Sequence, residues 1–225
     1  MSTDTRSLHL LLSWLSPSFP VGAYAFSHGL EYAVAEYGID TPAALTRWLQ
    51  HLLHHGSAQT DLVFAAAAWA ADDPQAIHAL CAQALAFSPS AEIKLESTAQ
   101  AEAFVHTIAS AWPCHAVDEL RPLLPDLCAY PVAVARVARA HSIEQSALVA
   151  ALAHAFCANL VSAAIRLVPL GQTDGQRVMA DLLEAIDQAA THAMATPVDA
   201  VATQTLMSDI ASMKHEHQYT RLFRS

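Results

Sequence analysis

Charge is scarce in this chain and mostly of one sign: 14% of its 225 residues are charged, 11 Lys and Arg against 21 Asp and Glu, for a formal net charge of -10. A surface of that sign repels phosphate backbones, which excludes nucleic acid and anionic membrane as main partners. Glycine is rare, with only 6 residues, and runs of alternating Val, Ile and Thr that would signal strands are missing. The four cysteines, Cys81, Cys114, Cys128 and Cys157, form no CxxC, so neither a zinc site nor a disulfide framework is signalled. Reduced thiols in a cytoplasmic protein are the reading that remains. A basic segment ahead of the apolar stretch near Leu8 to Trp14 is also lacking, so no signal peptide is read there.

What is present is hydrophobic mass, 54% of the chain, and much of it is alanine, the best helix former. An all-α, single-domain helical bundle of roughly eight to ten helices is expected, with a body over residues 1–212 and a flexible C-terminal tail over 213–225. Thr41 and Pro42 open a helix whose apolar face is Leu45, Leu49, Leu52 and Leu53, and Gly56 stops it. Further helices are predicted over about 58–71, 74–87, 90–111 and 174–194. The prolines 113, 122, 125 and 131 mark a connecting region between them. Ser142 with Gln145 reads as a capping box opening a helix to about Val168. Residues 147–165 carry no charge and have the length of a membrane span; a helix apolar all round is placed in the middle of the bundle instead.

Chemistry-bearing patterns are few. His51 and His55 lie four apart on one helix face, the spacing two metal-bound imidazoles use, so a helical metal- or small-ligand-binding protein is the alternative function. The last turn before Gly56 is also where histidines complement a helix dipole, and the pair is read as structural. His215 and His217 at i and i+2 point apart on a helix. Residues 171–176, GQTDGQ, lack the Lys-Ser/Thr ending of a phosphate loop and read as an inter-helix turn, with glycine at positive φ and Asp174 as cap. No catalytic triad rises above chance among 13 histidines, so no enzyme activity, cofactor or metal is assigned. Residues 16–26, dense in breakers and aromatics, are either packing or a binding surface. From Lys214 onward the net charge is +2, and Tyr219, Leu222 and Phe223 at i, i+3, i+4 form one stripe of a short helix flanked by Arg221 and Arg224. Such a stripe docks either on the protein's own acidic body or on a partner.

Four segments resemble a known family. SFPVGAYAFSHGLE (18–31), YPVAVARVA (130–138), NLVSAAIRLVPLGQTDGQ (159–176) and DIASMKHEHQYTRLFRS (209–225) are similar, in order, to the recurring segments of the urease accessory protein family UreF. The resemblance implies an all-α homodimer without a cofactor of its own. It implies assembly with the accessory protein UreD, also called UreH, and with the GTPase UreG on apo-urease, so that GTP hydrolysis is coupled to nickel insertion. It also implies that Tyr219, Arg221, Leu222, Phe223 and Arg224 contact a partner, as do Arg166, Gly171 and Gln172 around the PLGQ turn.

Overall fold

A computed structural model describes residues 4–225, so the first three residues of the expected body lie outside the described part. Every regular element among the described residues is helical. The elements are α1 (Thr5–Trp14), α2 (Leu30–Tyr37), α3 (Pro42–His55), α4 (Ser57–Ala70), α5 (Pro74–Ala86), α6 (Ala91–Ala111), α7 (His115–Leu120), α8 (Tyr130–Ala140), α9 (Gln145–Leu167), α10 (Gln172–Ala195) and α11 (Leu206–His215), with three single 3₁₀ turns between them. The all-α bundle is as expected.

Local chemistry sets several of the boundaries. Thr41 accepts a hydrogen bond from Ala44 N–H and Pro42 occupies the first helical position of α3. Asp73 caps Gln75 N–H at the start of α5, and Ser90 caps Ile93 N–H at the start of α6. The expected capping box of α9 is absent. Ser142 sits at φ 60° in a left-handed turn, so the helix begins at Gln145 instead. Gly171, expected at positive φ, instead has ordinary extended backbone, with φ -75° and only Asp174 Oδ2, 3.6 Å away, near where a Cβ would lie. Asp174 does take part in capping, its carboxylate accepting Gly171 N–H at 3.3 Å.

The central helix is α4, not α9. Nine residues of α4, including Gln59, Thr60, Phe64 and Ala68, are buried around its circumference, against α3, α5, α8, α9 and α10. Alanine permits this close approach from several sides. Helix α9 is long and apolar enough to cross a membrane, yet only half of its most apolar stretch is buried. Leu148, Leu152, Leu160 and Ala164 face the core, while Ala147, Ala150, Ala151, His154, Ala158 and Ser162 line an open groove shared with α1. An all-round apolar pattern therefore does not reveal which face a fold covers.

Two contacts pin the rest. Gly175 on α10 lies where a Cβ would approach Ile165 Cδ1 to 2.5 Å, so it allows the α9–α10 hairpin to close. Gly175→Val is expected to cost about 1 to 3 kcal/mol by overpacking, whereas Gly171→Val should leave stability within about 0.5 kcal/mol. Paired urea melts of the two variants check this. Arg136 on α8, 5% exposed, donates to Glu119 Oε2 at 2.9 Å and to the carbonyls of Ala68 and Ala71 at 3.2 and 2.6 Å, so the charge is satisfied where it is buried.

Candidate functional site

Residues 216–225 do not form the helical stripe the spacing suggested. They run irregularly back across the body, because Glu31 and Ala25, distant in sequence, take the backbone N–H groups of residues 222–224. Leu222 and Phe223 N–H donate to the two carboxylate oxygens of Glu31 at 2.7 and 3.0 Å. Arg224 N–H donates to Ala25 carbonyl at 2.8 Å, and Ser27 N–H donates to Ser225 carbonyl at 2.7 Å. The segment expected to be flexible is thus laid on the acidic body, the complement to its +2 charge.

The seat is a cradle of three glutamates and one histidine. Glu31 opens α2, while Glu92 and Glu96 stand one turn apart on the first half of α6. His215 closes α11 and is fully buried between them, with Nε2 3.1 Å from Glu31 Oε2 and Nδ1 2.6 Å from Glu92 Oε2. Arg221 donates to the other Glu92 oxygen at 2.6 Å, and Ser225 Oγ donates to Glu96 at 2.9 Å. Glycine 29 makes this possible. Its φ of 76° turns the chain into α2, and a Cβ there would stand 2.8 Å from Ser212 N, so α11 reaches α2 only because no side chain intervenes.

Each residue named from sequence now has a place. Phe223 is buried, 4% exposed, with the Arg166 guanidinium over its ring at 4.3 Å; Arg166 also donates to Tyr24 carbonyl at 2.8 Å. Arg224 lies over Phe26 at 5.4 Å. Tyr219 is fully exposed and Leu222 63% exposed, on the outer side of the seated segment. Thus Tyr219, Arg221, Leu222, Phe223, Arg224 and Arg166 belong to one region. Gly171 and Gln172 are exposed at the separate α9–α10 turn. Sequence reading missed Glu31, Glu92 and Glu96, and named His215 without its partners. Only the GLE of SHGLE and the acids opening 91–111 hinted at them.

The loop at 16–26 is packing in part. Phe19 packs with Phe104 and Trp112, while Tyr24 remains 67% exposed. His215 and His217 diverge as expected, the first buried and the second exposed, with Glu216 capping α6 through Ala91 N–H at 2.8 Å. His51 and His55 form an edge contact at 5.3 Å between ring centres on the last turns of α3, both exposed. Among the described residues no group of three or more His, Cys, Asp or Glu is placed to hold a metal. Replacing both His51 and His55 by Ala should cost only about 0.3 to 1 kcal/mol each, checked by thermal melting.

The groove between α1 and α9 has a volume of about 800 Å³ and a polar floor of His28, Ser57, Asp61 and Glu96. Ser57 Oγ and His28 Nε2 are 2.8 Å apart, and His28 Nδ1 is 3.4 Å from Glu96 Oε2. Burial pushes the Asp61 carboxyl up to about 7, opposed by His28 and assisted by Glu96. Burial alone would lower His28, but its bond to Glu96 and the charges of Glu96, Asp61 and Asp209 together raise it. An acid raised in the folded state loses stability as pH climbs from its unfolded value near 4 to about 7. A raised histidine loses it as pH climbs through its folded value above 6.5. Both push the same way. Stability should fall by about 1 to 2 kcal/mol between pH 5.5 and 7.5 from Asp61 alone, and Asp61→Asn should remove that part of the slope in thermal melts.

Comparison with known proteins decides the family. The UreF family model matches residues 39–183, well over half of the chain. A urease accessory protein UreF from Methylobacterium sp. (strain 4-46) is 46% identical over 219 residues, covering 96% of this chain and 88% of its own. The chain belongs to the UreF family. A second relative of that name, from Methylobacterium radiotolerans, is 44% identical over 96% of this chain and 95% of its own. A third, from Rhodopseudomonas palustris (strain BisB5), is 44% identical over 99% of this chain and 93% of its own. The family match ends before the tail, while these alignments cover 96 to 99% of the chain. A UreF-family chain is an accessory protein of urease, which gives it a role in urease maturation.

Proposed function

We propose that this chain is a non-catalytic scaffold that joins a UreD/UreH-like accessory protein and a UreG-like GTPase on apo-urease, so that GTP hydrolysis is coupled to nickel insertion. The observation that supports this reading is the tail. An anchored segment that leaves Tyr219 and Leu222 in water has the aromatic and apolar side chains that dominate interfaces, supported from below by buried contacts. The homodimer, the cytoplasmic location and the absence of a resident cofactor belong to the same reading, as does contact through Gly171 and Gln172 at the exposed α9–α10 turn. Nickel is cargo in this scheme.

The scheme assigns the chemistry elsewhere. The chain has no phosphate loop, and the GQTDGQ turn opens a helix rather than following a strand. Its contribution is geometric, holding two partners at a fixed separation so that a conformational change in one is felt by the other. Co-purification with the UreD-like and UreG-like proteins and urease tests the reading. Recovery of one complex containing all four is expected. Stoichiometric metal or nucleotide bound to the isolated chain, with no partner retained, would overturn it.

A further inference from the structure

We infer that the groove beside α9 holds a second activity: Ser57, His28 and Glu96 form a nucleophile, a base and an orienting carboxylate that transfer the acyl group of an apolar ester to water. This goes beyond the scaffold role, in which the chain does no chemistry, and it stands or falls independently of that role.

The relay is assembled from three parts of the chain. Ser57 is the first residue of α4, His28 lies in the turn that enters α2, and Glu96 stands on α6. Ser57 Oγ is 2.8 Å from His28 Nε2, and the other ring nitrogen, Nδ1, is 3.4 Å from Glu96 Oε2. A hydroxyl at one edge of an imidazole and a carboxylate at the other is the order that makes a serine nucleophilic. The carboxylate holds the tautomer with hydrogen on Nδ1 and leaves Nε2 free to take the hydroxyl proton. The ring has little room to turn, since Phe156 on α9 meets it edge-on at 5.3 Å between ring centres and His28 is 8% exposed. Its backbone is held at φ 56°, a conformation that costs a non-glycine residue energy and that the surrounding structure has to impose.

Donors for the charge that develops on a substrate lie beside the hydroxyl. The first intrahelical bond of α4 runs from Thr60 N–H to the Gly56 carbonyl, and no side chain caps this helix. The N–H groups of Ser57 and Ala58 therefore have no acceptor among the described residues. Free N–H groups at a helix start, next to a nucleophile, stabilise an oxyanion. Ser57, Ala58, His28 and Glu96 line the same groove, whose walls include the exposed side chains Leu8, Leu12 and Phe87. The substrate class follows from that lining: an ester with an apolar acyl chain laid along those walls and its carbonyl at Ser57.

In the first step Ser57 Oγ attacks the carbonyl carbon and its proton passes to His28 Nε2. The bond to the ester oxygen then breaks, the departing alcohol takes that proton, and the acyl group stays on Ser57. Water next attacks the acyl carbon and gives a proton to His28, and Ser57 recovers it as the carboxylic acid leaves. Only neutral His28 can start the cycle. Glu96 from α6, Asp61 from α4 and Asp209 from α11 favour its charged form and together outweigh burial. The rate should accordingly rise as pH climbs through a value above 6.5 and then level off.

The test exposes the full chain to a fluorophosphonate, in which a serine oxygen displaces fluoride from phosphorus, and separately to p-nitrophenyl butyrate. One adduct, mapped by mass spectrometry to Ser57, and sustained release of p-nitrophenol are expected. Ser57→Ala should abolish both. His28→Asn, whose side chain tolerates positive φ, should slow both by about a hundredfold or more. Glu96 is a positioning residue: Glu96→Gln should slow both roughly tenfold and move the pH midpoint downward, because a charge that raises His28 is gone, whereas a purely structural glutamate would leave the midpoint in place. Ser162→Ala, at a serine that lines the groove without a bonded imidazole, should react as the parent does. Ser57→Ala removes a single hydroxyl, so it keeps the proposal testable even where His28→Asn fails to fold. Absence of an adduct or of p-nitrophenol release from the folded parent chain overturns the proposal, as does an adduct that survives Ser57→Ala or turnover unchanged in folded His28→Asn.

Discussion

Deleting residues 218–225 is expected to give a folded helical protein that no longer captures its UreD-like partner. The loss should exceed a hundredfold. Two exposed side chains that we propose as interface anchors, Tyr219 and Leu222, go with the segment, and anchors of this kind contribute on the order of 2 kcal/mol each. The loop bearing Tyr24 also loses the strand-like pairing that orders it. Stability falls too, since Phe223 is buried and its removal forfeits about 1.5 to 3 kcal/mol of apolar burial. For a chain of this size that corresponds to a lowering of Tm by roughly 4 to 10 °C. The helical signal should survive, because α4 and the helices around it do not depend on the tail. Circular dichroism melting beside pull-down separates the effects. Undiminished capture, or a truncated chain without a cooperative melt, would contradict the expectation.

Gly29→Val should be the most damaging single substitution at the cradle. The position has φ 76°, which β-branched residues adopt only under strain, and the added Cβ would meet Ser212 N at 2.8 Å and Ser212 Cα at 2.9 Å. Backbone atoms cannot swing aside as a side-chain tip does. The clash is relieved only by pushing α11 away from α2, and that movement draws His215 from between Glu31 and Glu92. Strain and a broken buried network together should cost about 3 to 5 kcal/mol. Partner capture should be abolished even where the bundle stays folded. Gly22→Ala is the matched control, since its φ of 73° carries similar strain but nothing lies within 4 Å. It should cost about 1 to 2 kcal/mol. Equal losses in the two variants would show that backbone conformation, not the approach of α11, is what matters.

How much of this was legible in the sequence follows from the range of each signal. Thr41 with Pro42, Asp73 with Pro74, and Ser90 fixed helix starts because the cap and its N–H donor are two or three residues apart. Ser142 misled for the complementary reason. It has the right partner spacing, but the turn from α8 to α9 holds it at φ 60°, and only the surrounding chain determines that. The tail stripe failed in the same way, since its helical period counts neighbours i+3 and i+4 while the acceptor for its N–H groups is Glu31, 191 residues away from Leu222. Its charge was more informative: a basic end on an acidic chain named the body as a docking surface without saying where. The tail side chains were found from their types alone. Their receptor was not, because Glu31, Glu92 and His215 are ordinary helix residues until the fold brings them together. The groove beside α9 was hidden because a helix apolar on every side gives no sign of which side will be left open.

The cradle has one more consequence, for how the chain is made. Its parts come from residues 27–31, 90–96 and 212–225, so it joins a segment made early to one made 191 residues later. Helical pairs such as α3 with α4 form between neighbours and are free to assemble while synthesis continues. Glu31 and Glu92, by contrast, wait through the addition of well over a hundred residues, which at about 5 to 20 residues per second is on the order of ten seconds, before His215 and Arg221 arrive. The nascent protein keeps that end unfinished until then. A product that stops short of residue 215 retains the bundle's framework but lacks the imidazole and guanidinium that neutralise its carboxylates. The closed cradle therefore exists only on chains translated through it.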